Sequence, residues 1–384
     1  MLSNKYTLAT KAALNIAIVG ESNSVIRTGY TKYLQEYLRK ITNRQIQFNH
    51  YALGGVTNIH ALMQNVRHEI ATNHDIIFYD YAMNSRYAIK IGKYSLELAG
   101  RALEGFIRSV KSVNPHCIIV ILIFGVNQDY YYQNDCALSA LYESIGKHYE
   151  LPVINLTTLL IKDRGLDFLK SLYNEKDDAH YSRPEGVKII SNQIVKSLEN
   201  LDILEFLQLN SHGKDYQFEK TSQIYQDNFE KLDYLDSFEN KDLFTGNPKV
   251  SVYQNTVFRE RNLTIYSGMS LDFLLKGKLM AILIKSDLND GFFSIEFGSQ
   301  CLITSSFSSW VNRIKPQNVI SLISLPALKF SASQNFTPVS ISLCSSYPQE
   351  FELDLFKTSP RKNNPRKWKL SIIGIGYLGE IMPC

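Results

Sequence analysis

The sequence has few of the features that mark secreted or membrane-spanning proteins. Its 384 residues include an odd number of scattered cysteines, which form neither a metal-binding spacing nor a disulfide framework: Cys117, Cys136, Cys301, Cys344 and Cys384. No run approaches the roughly 18–20 consecutive apolar residues of a membrane-spanning helix. Residues 1–13 lack the basic segment and apolar core of a secretory signal. We therefore expect a protein of the reducing cytoplasm with no membrane span.

Positive and negative charges are also nearly balanced. The formal net charge is +4, and basic residues are dense only between Lys357 and Lys369, where a solvated loop is a simpler interpretation than a surface for an anionic polymer. The chain has no Gly-rich phosphate loop, dinucleotide fingerprint or nucleic-acid motif. Seven histidines form no metal-ligand pattern: His50, His60, His68, His74, His116, His148 and His212. We expect no nucleic-acid partner, no metal and no tightly bound cofactor.

The first half alternates apolar segments with helical patterns, and its length fits one domain over residues 1–200. The predicted strands are Leu14–Val19, Gln45–Ala52, Asp75–Asp80, Cys117–Phe124 and Pro152–Asn155. The predicted helices are Ser24–Lys40, Asn58–Ala71, Ser95–Val113, Asp135–His148, Thr157–Leu172 and Pro184–Leu198. This alternation predicts a three-layer α/β/α sandwich with a five-stranded parallel sheet, whose sites collect at the carboxyl ends of the strands.

The second half differs in pattern. Residues 201–249 are predicted to be a connector with one helix near Phe218–Leu232. Residues 250–384 are predicted to form an all-β, jelly-roll-like sandwich. Its predicted strands are Val250–Phe258, Asn262–Tyr266, Lys278–Lys285, Phe292–Gly298, Cys301–Ser306, Val319–Ile323, Val339–Cys344, Glu350–Phe356 and Lys369–Ile373. The chain as a whole has 23 tyrosines and 20 phenylalanines, which suit sugar contacts but are also common in strands, and the β-domain is a candidate glycan-binding module.

Four short motifs carry groups that can do chemistry, and each also has an ordinary structural explanation. Gly20-Glu21-Ser22-Asn23-Ser24 follows the first strand, where a serine can also cap a helix. Leu53-Gly54-Gly55 follows the second strand, where glycines can also make a tight turn. Asn84 follows the third strand and can lie in a turn. Asp177 and His180 are three residues apart, as in an orienting acid and a base, or in an exposed acidic turn.

Together these motifs resemble those of the SGNH, or GDSL-type, hydrolase superfamily, over residues 14–200. The resemblance implies that Ser22 is the nucleophile and also an oxyanion donor through its backbone N–H. It implies Gly55, from its Gly-x-Thr pattern, and Asn84 as the other donors. It implies His180 as the base and Asp177 as its orienting acid. Glu21 and Ser85 stand where the family usually has Asp.

The resemblance implies serine-dependent acyl-ester chemistry on a saccharide. The sequence is similar to members of the superfamily that modify bacterial polysaccharides. The first expectation is therefore O-acetyl transfer to a surface glycan, with acetyl-CoA as a potential donor. The second is a carbohydrate O-acetylesterase that uses the same residues. The third, from a different class, is a non-catalytic glycan-binding or assembly protein. The acyl group, the sugar and the oligomeric state stay open.

Overall fold

The computed structural model describes residues 13–42, 45–129, 132, 137–201, 221–254, 259–311, 319–328, 330–360 and 364–384. The chain divides into two compact units. The first unit comprises Met1–Gly54, His68–Tyr87 and Ala99–Glu230. The second comprises Gly55–Arg67, Ala88–Leu98 and Lys231–Cys384.

The first unit contains a five-stranded parallel sheet, which confirms the predicted fold class. Its strands are β1 (Ala13–Gly20), β2 (Gln45–His50), β3 (Ile76–Asp80), β4 (Ile118–Ile123) and β5 (Val153–Asn155), in the spatial order β2-β1-β3-β4-β5. β1 lies between β2 and β3, with Ile16 opposite both Phe48 and Ile76. The carboxyl ends of β1, β2 and β3 therefore meet at one edge.

Ten helices are described, mostly close to the predicted segments. They are α1 (Ser22–Val25), α2 (Tyr30–Thr42), α3 (Ile59–His68), α4 (Ile70–Asn73), α5 (Ala82–Lys90), α6 (Leu96–Val113), α7 (Ala137–His148), α8 (Leu156–Arg164), α9 (Leu166–Ser171) and α10 (Glu185–Asn200). Among these described helices, none is long and apolar enough to cross a lipid bilayer.

Three predicted helices are each split into two. The pattern over Ser24–Lys40 is interrupted by a turn in which the N–H of Gly29 donates to the carbonyl of Ile26. The pattern over Asn58–Ala71 breaks at Glu69, whose φ is 49°. The pattern over Thr157–Leu172 breaks at Gly165, whose φ is +85°. Apolar periodicity continues across each break, so these turns are not visible in the pattern.

The core of the first unit is built on its central strands. In β4, all residues from Ile119 to Ile123 are fully buried. Burial of an aliphatic side chain of this size stabilises the fold by about 1.5–3 kcal/mol. On α2, Leu34 and Leu38 are fully buried in a core cluster that also contains Ile190 of α10. The hydrophobic effect thus fixes the sheet whose edge carries the motifs.

The second unit is built from nine antiparallel strands, in agreement with the predicted β-domain class. They are β8 (Leu232–Asp236), β9 (Lys249–Gln254), β10 (Arg259–Tyr266), β11 (Ser270–Ser286), β12 (Phe292–Phe297), β13 (Gln300–Ser305), β14 (Val319–Ser324), β15 (Ser333–Leu343) and β16 (Lys369–Met382). β11 pairs with β16 along most of its length, with β15 near its start and with β14 near its end. One long strand therefore connects two groups of shorter strands.

Two sequence predictions in the second half are wrong where the structure describes them. Glu350–Phe356 is not a strand; within it the buried carboxylate of Asp354 accepts the backbone N–H of Ser324 at 2.7 Å. Lys357 does not belong to a solvated loop, since it is 7% exposed and its ammonium donates to the Ser321 hydroxyl. Both side chains have polar partners distant in sequence, which a local pattern does not show.

The helix predicted near Phe218–Leu232 is also wrong over residues 221–232, and its first residues lie outside the described part of the chain. Instead, the fully buried Glu104 of α6 organises this segment. Its carboxylate accepts the backbone N–H groups of Ile224 at 2.6 Å and Tyr225 at 2.7 Å. These bonds take N–H groups that a helix would need, so the segment follows turns.

Candidate active site

The nucleophile candidate lies in the turn between β1 and α1. Ser22 is half-buried and is the first residue of α1, two residues after the end of β1. The turn is tightly packed at Gly20: a Cβ there would lie 2.7 Å from the Ser24 hydroxyl oxygen and 3.0 Å from the Asp80 Cβ. Only glycine fits without displacing these groups, which explains the glycine before the acid–serine pair.

Helix capping does not account for the serines of this turn. The N-cap of α1 is Glu21, and it makes no side-chain cap bond. The Ser24 hydroxyl donates to Asp80 at 2.9 Å and lies 2.9 Å from the hydroxyl of Tyr30. The capping explanation is therefore wrong for both Ser22 and Ser24.

The Gly-Gly turn after β2 lies beside this serine. The Leu53 N–H donates to the carbonyl of Gly20 at 2.9 Å. A Cβ added to Gly54 would lie 3.5 Å from the Ser22 Cβ. The next residue, Gly55, has a φ of +70°, which favours glycine. The structure thus places Gly54 directly against Ser22, and the oxyanion role of Gly55 stays a prediction.

The third motif residue, Asn84, lies in the first turn of α5 rather than in an irregular turn. It is 7% exposed, and its backbone N–H donates to the Glu21 carboxylate at 2.6 Å. Its side-chain Nδ2 is buried and has no hydrogen-bond partner among the described residues. A buried donor without an acceptor costs about 1–3 kcal/mol, so an orphaned amide of this kind suits a group that binds an oxyanion during turnover.

We expect Asn84→Ala to lower kcat for acetyl-ester hydrolysis by about 10²–10³-fold, because one oxyanion donor is lost in the transition state. KM should change little, since the interaction forms mainly during reaction. Steady-state kinetics on an acetylated saccharide measures both constants. Asn73→Ala is the control, since Asn73 is exposed and its amide donates only to the His68 carbonyl. An equal loss in the two variants would contradict the oxyanion role.

The acid–histidine pair lies on a short hairpin, not in a loop. Strand β7 (Asp177–Tyr181) pairs with β6 (Tyr173–Asn174). The Asp177 Oδ2 lies 2.5 Å from the His180 Nδ1, while its Oδ1 accepts the Ala179 N–H at 3.0 Å. Two acceptor bonds fix this carboxylate, and it in turn fixes the imidazole. The pair therefore has the geometry of an orienting acid and a base.

The other imidazole nitrogen is available for a substrate or nucleophile. His180 Nε2 is buried and has no hydrogen-bond partner among the described residues. The hairpin and the nucleophile turn are joined, because the Asn23 side chain donates to the Ala179 carbonyl at 3.2 Å. No hydrogen bond between Ser22 and His180 is present among the described residues. Catalytic hydrogen bonds of unliganded enzymes often tighten only when substrate binds.

Two acidic side chains at the same edge were not assigned a role from the sequence. Glu21 is fully buried, and burial together with the neighbouring Asp80 raises its pKa well above the ordinary value. Burial also raises the pKa of Asp80 to about 7. The signal in the sequence was an acid directly before the serine and another at the end of β3. Their burial was not predictable from those positions.

No metal centre is evident in the described part of the chain. Among those residues, no group of three or more His, Cys, Asp or Glu side chains is arranged to hold a metal ion. His50 instead places its Nδ1 3.3 Å from the Ser24 carbonyl, and burial lowers its pKa. His212 and Cys136 lie outside the described residues.

The first unit has the α/β/α fold with a five-stranded parallel sheet that the resemblance to SGNH, or GDSL-type, hydrolases implied. Its parallel sheet carries Ser22, Gly54 and Asn84 after three adjacent strands, with the acid–histidine hairpin at the end of the domain.

Comparison with solved structures gives the same fold along nearly the whole chain. The chain is similar to a two-domain esterase, CEX, active on acetylated mannans and co-crystallised with mannopentaose. The TM-score is 0.63 at 14% identity, covering 96% of this chain and 92% of that one. A second structure of the same esterase gives a TM-score of 0.62 at 13% identity, with the same coverage.

A shorter similarity involves a catalytic mutant of an acetylxylan esterase, Axe2, from Geobacillus stearothermophilus. It has a TM-score of 0.42 at 14% identity, covering 48% of this chain and 94% of that one. No protein-family model matches the sequence, and no curated protein matches it.

Proposed function

We propose that this protein is a carbohydrate O-acetylesterase that works through an acyl-Ser22 intermediate. The observation that carries the proposal is the His180 imidazole, which is oriented by Asp177 at Nδ1 and has a buried Nε2 without a hydrogen-bond partner among the described residues. A nitrogen in this state is suited to accept a proton from a hydroxyl. The link from Asn23 to Ala179 supports Ser22 as the source of that hydroxyl.

In the first step, His180 Nε2 takes the proton of Ser22 Oγ while that oxygen attacks the acetyl carbonyl carbon. The negative charge that forms on the carbonyl oxygen is stabilised by the N–H groups of Ser22 and Gly55 and by the Asn84 amide. The bond to the sugar oxygen then breaks, and His180 returns the proton to that oxygen. The deacetylated sugar hydroxyl leaves, and acetyl-Ser22 remains.

In the second step, water attacks acetyl-Ser22. His180 takes a proton from the water, the same donors hold the second oxyanion, and the Ser22–acetyl bond breaks. His180 then protonates Ser22 Oγ, and acetate leaves. Asp177 keeps the imidazole in the required tautomer in both steps and stabilises its protonated form. The reaction consumes only the ester and water, so acetyl-CoA has no part in it.

The similarity to a two-domain esterase supports the proposed substrate class. The likeness to an esterase active on acetylated mannans extends over 96% of this chain, including the β-domain. This supports an O-acetylated polysaccharide, rather than a lipid or a small alcohol ester, as the substrate. The expectation of O-acetyl transfer has no comparable support, since both of these similar structures are of an esterase.

The decisive experiment incubates the protein with O-acetylated mannan, with and without unacetylated mannopentaose and acetyl-CoA. We expect one acetate released for each acetyl group lost, with no acetylated mannopentaose and no consumption of acetyl-CoA. Acetate can be measured enzymatically and the oligosaccharide by mass spectrometry. Acetylated mannopentaose in place of acetate would support transfer instead, and no reaction in either arm would contradict acyl-ester chemistry on this polymer.

A further inference from the structure

The buried carboxyls of Glu21 and Asp80 each accept hydrogen bonds from the turn to which the other residue belongs. Glu21 belongs to the nucleophile turn, yet its carboxyl accepts backbone N–H groups of α5, from Met83 and from Asn84 at 2.6 Å. Asp80 ends β3, just before α5, yet its carboxyl accepts the Glu21 N–H and the Ser24 hydroxyl of the nucleophile turn. The two bonding patterns run in opposite directions between the same two turns.

We infer that Glu21 and Asp80 form a reciprocal carboxyl brace that holds Ser22 in register with Asn84, and that the brace is competent only while at least one of the two carboxyls is protonated. Neither residue touches the reacting atoms, so both are positioning residues. The inference rests on the proposed function, because Ser22 and Asn84 matter to it as nucleophile and oxyanion donor.

The burial of both side chains and the surroundings of the Glu21 carboxyl support a protonated carboxyl in this pair. Glu21 is 0% and Asp80 2% exposed, and neither carboxyl is in an ion pair among the described residues. The Glu21 Oε1 is buried and has no hydrogen-bond partner among the residues that the structure describes. An anionic oxygen in that position is costly, whereas a protonated one is tolerated. Because both carboxyls are buried and Asp80 acts electrostatically on Glu21, the two ionise in separate steps.

Among the described residues, no charged side chain compensates these carboxyls. The titratable groups that face the brace are Tyr30 of α2, Tyr81 after β3, Tyr181 of β7 and, through the Ser24 carbonyl, His50 of β2. Burial raises the pKa of each of these tyrosines and lowers the pKa of His50, so all four are neutral near pH 7. The second ionisation of the brace therefore places two unscreened negative charges between the turns.

The sign of the pH effect follows. Both acids have folded-state pKa values above their unfolded values. Their contribution to stability is thus complete at low pH and is lost as pH rises through the folded pKa values, of which that of Asp80 is about 7. Once the second carboxyl also ionises, repulsion between the carboxyls loosens the register of Ser22 and Asn84, and kcat should fall.

The kinetic test compares Glu21→Ala, Glu21→Gln and Asp75→Asn. We expect Glu21→Ala to lower kcat about 10²-fold with little change in KM, since displacing a reacting group by about 1 Å has that effect. Glu21→Gln keeps an acceptor oxygen, so it should recover part of the loss and show no decline in kcat at alkaline pH. Asp75 accepts the Asn15 N–H at the opposite end of β3, and Asp75→Asn should follow the wild-type profile.

A second measurement does not depend on ester turnover. As pH rises through the second ionisation of the pair, the free energy of unfolding of the wild type should fall, whereas that of Glu21→Gln should stay flat over the same range because it cannot hold two charges. If Glu21→Gln does not fold, Asp80→Asn provides the same comparison. Parallel curves for wild type and variant would overturn the brace. A wild type that fails to hydrolyse acetyl esters would refute the proposed function. The pH dependence of the free energy of unfolding would still test whether the brace needs a protonated carboxyl.

Discussion

Replacing Ser22 by alanine is expected to reduce kcat for acetate release by about 10⁴–10⁶-fold, the largest effect of any single substitution in this chain. The reason is that Ser22 Oγ is the atom proposed to form the acyl intermediate, and its neighbour in the turn cannot replace it. Ser24 is fully buried, and its hydroxyl already donates to Asp80. Residual turnover would come from the oxyanion donors and substrate binding alone.

The matched control is Ser171→Ala, which removes an exposed hydroxyl of the same unit that donates to the Phe168 carbonyl. Circular dichroism and thermal unfolding should show that both variants fold. If Ser22→Ala retains wild-type acetate release, the protein is not a serine esterase. The glycan-binding interpretation would then be favoured, since it predicts that saccharide binding survives without Ser22.

The second large effect separates two adjacent acids. We expect Asp177→Asn to lower kcat by about 10⁴-fold, because an asparagine at this position stabilises the wrong imidazole tautomer while the geometry is kept. Asp178→Asn should have almost no effect. The Asp178 side chain is exposed, and its contribution to the hairpin is a backbone carbonyl that accepts the Asn127 N–H at 2.7 Å. A backbone acceptor is unchanged by the substitution.

Steady-state kinetics of both variants, with His180→Ala beside them, measures this difference. His180→Ala should be at least as impaired as Asp177→Asn, since the base itself is lost. Equal effects of Asp177→Asn and Asp178→Asn would show that only the negative charge of the hairpin matters, and not the hydrogen bond from Asp177 to His180. A near-normal His180→Ala would rule out His180 as the base.

The parallel sheet was predictable because its signal is local. The segments that form β1, β3 and β4 are short apolar runs, and each prediction ends within one residue of the observed strand. Polar or glycine residues directly after three of the strands then stand out against the apolar runs. The carboxyl ends of parallel strands meet at one edge, so the sequence alone could place Ser22, the Gly54-Gly55 pair and Asn84 at that edge.

Other elements depend on partners far away in sequence. The segment after residue 220 has a helical pattern, but Glu104 binds its backbone N–H groups from α6. The segment around Asp354 has a strand pattern, but its carboxylate bonds to Ser324. The strand β8 was missed because its pairing with β16 spans more than a hundred residues of sequence. In each case a long-range hydrogen bond outweighs the local preference.

Local sequence patterns were sufficient to predict the class of both halves and the residues of the candidate site: a serine, a glycine turn, an asparagine and an acid–histidine pair. Long-range contacts, in contrast, place Asn84 on a helix with a buried amide that has no hydrogen-bond partner among the described residues, His180 on a hairpin, and the Glu21 and Asp80 carboxyls against each other's turns. The physical reason is distance along the chain. Composition and periodicity report burial within an element, whereas the brace joins groups about sixty residues apart, and only folding desolvates them together.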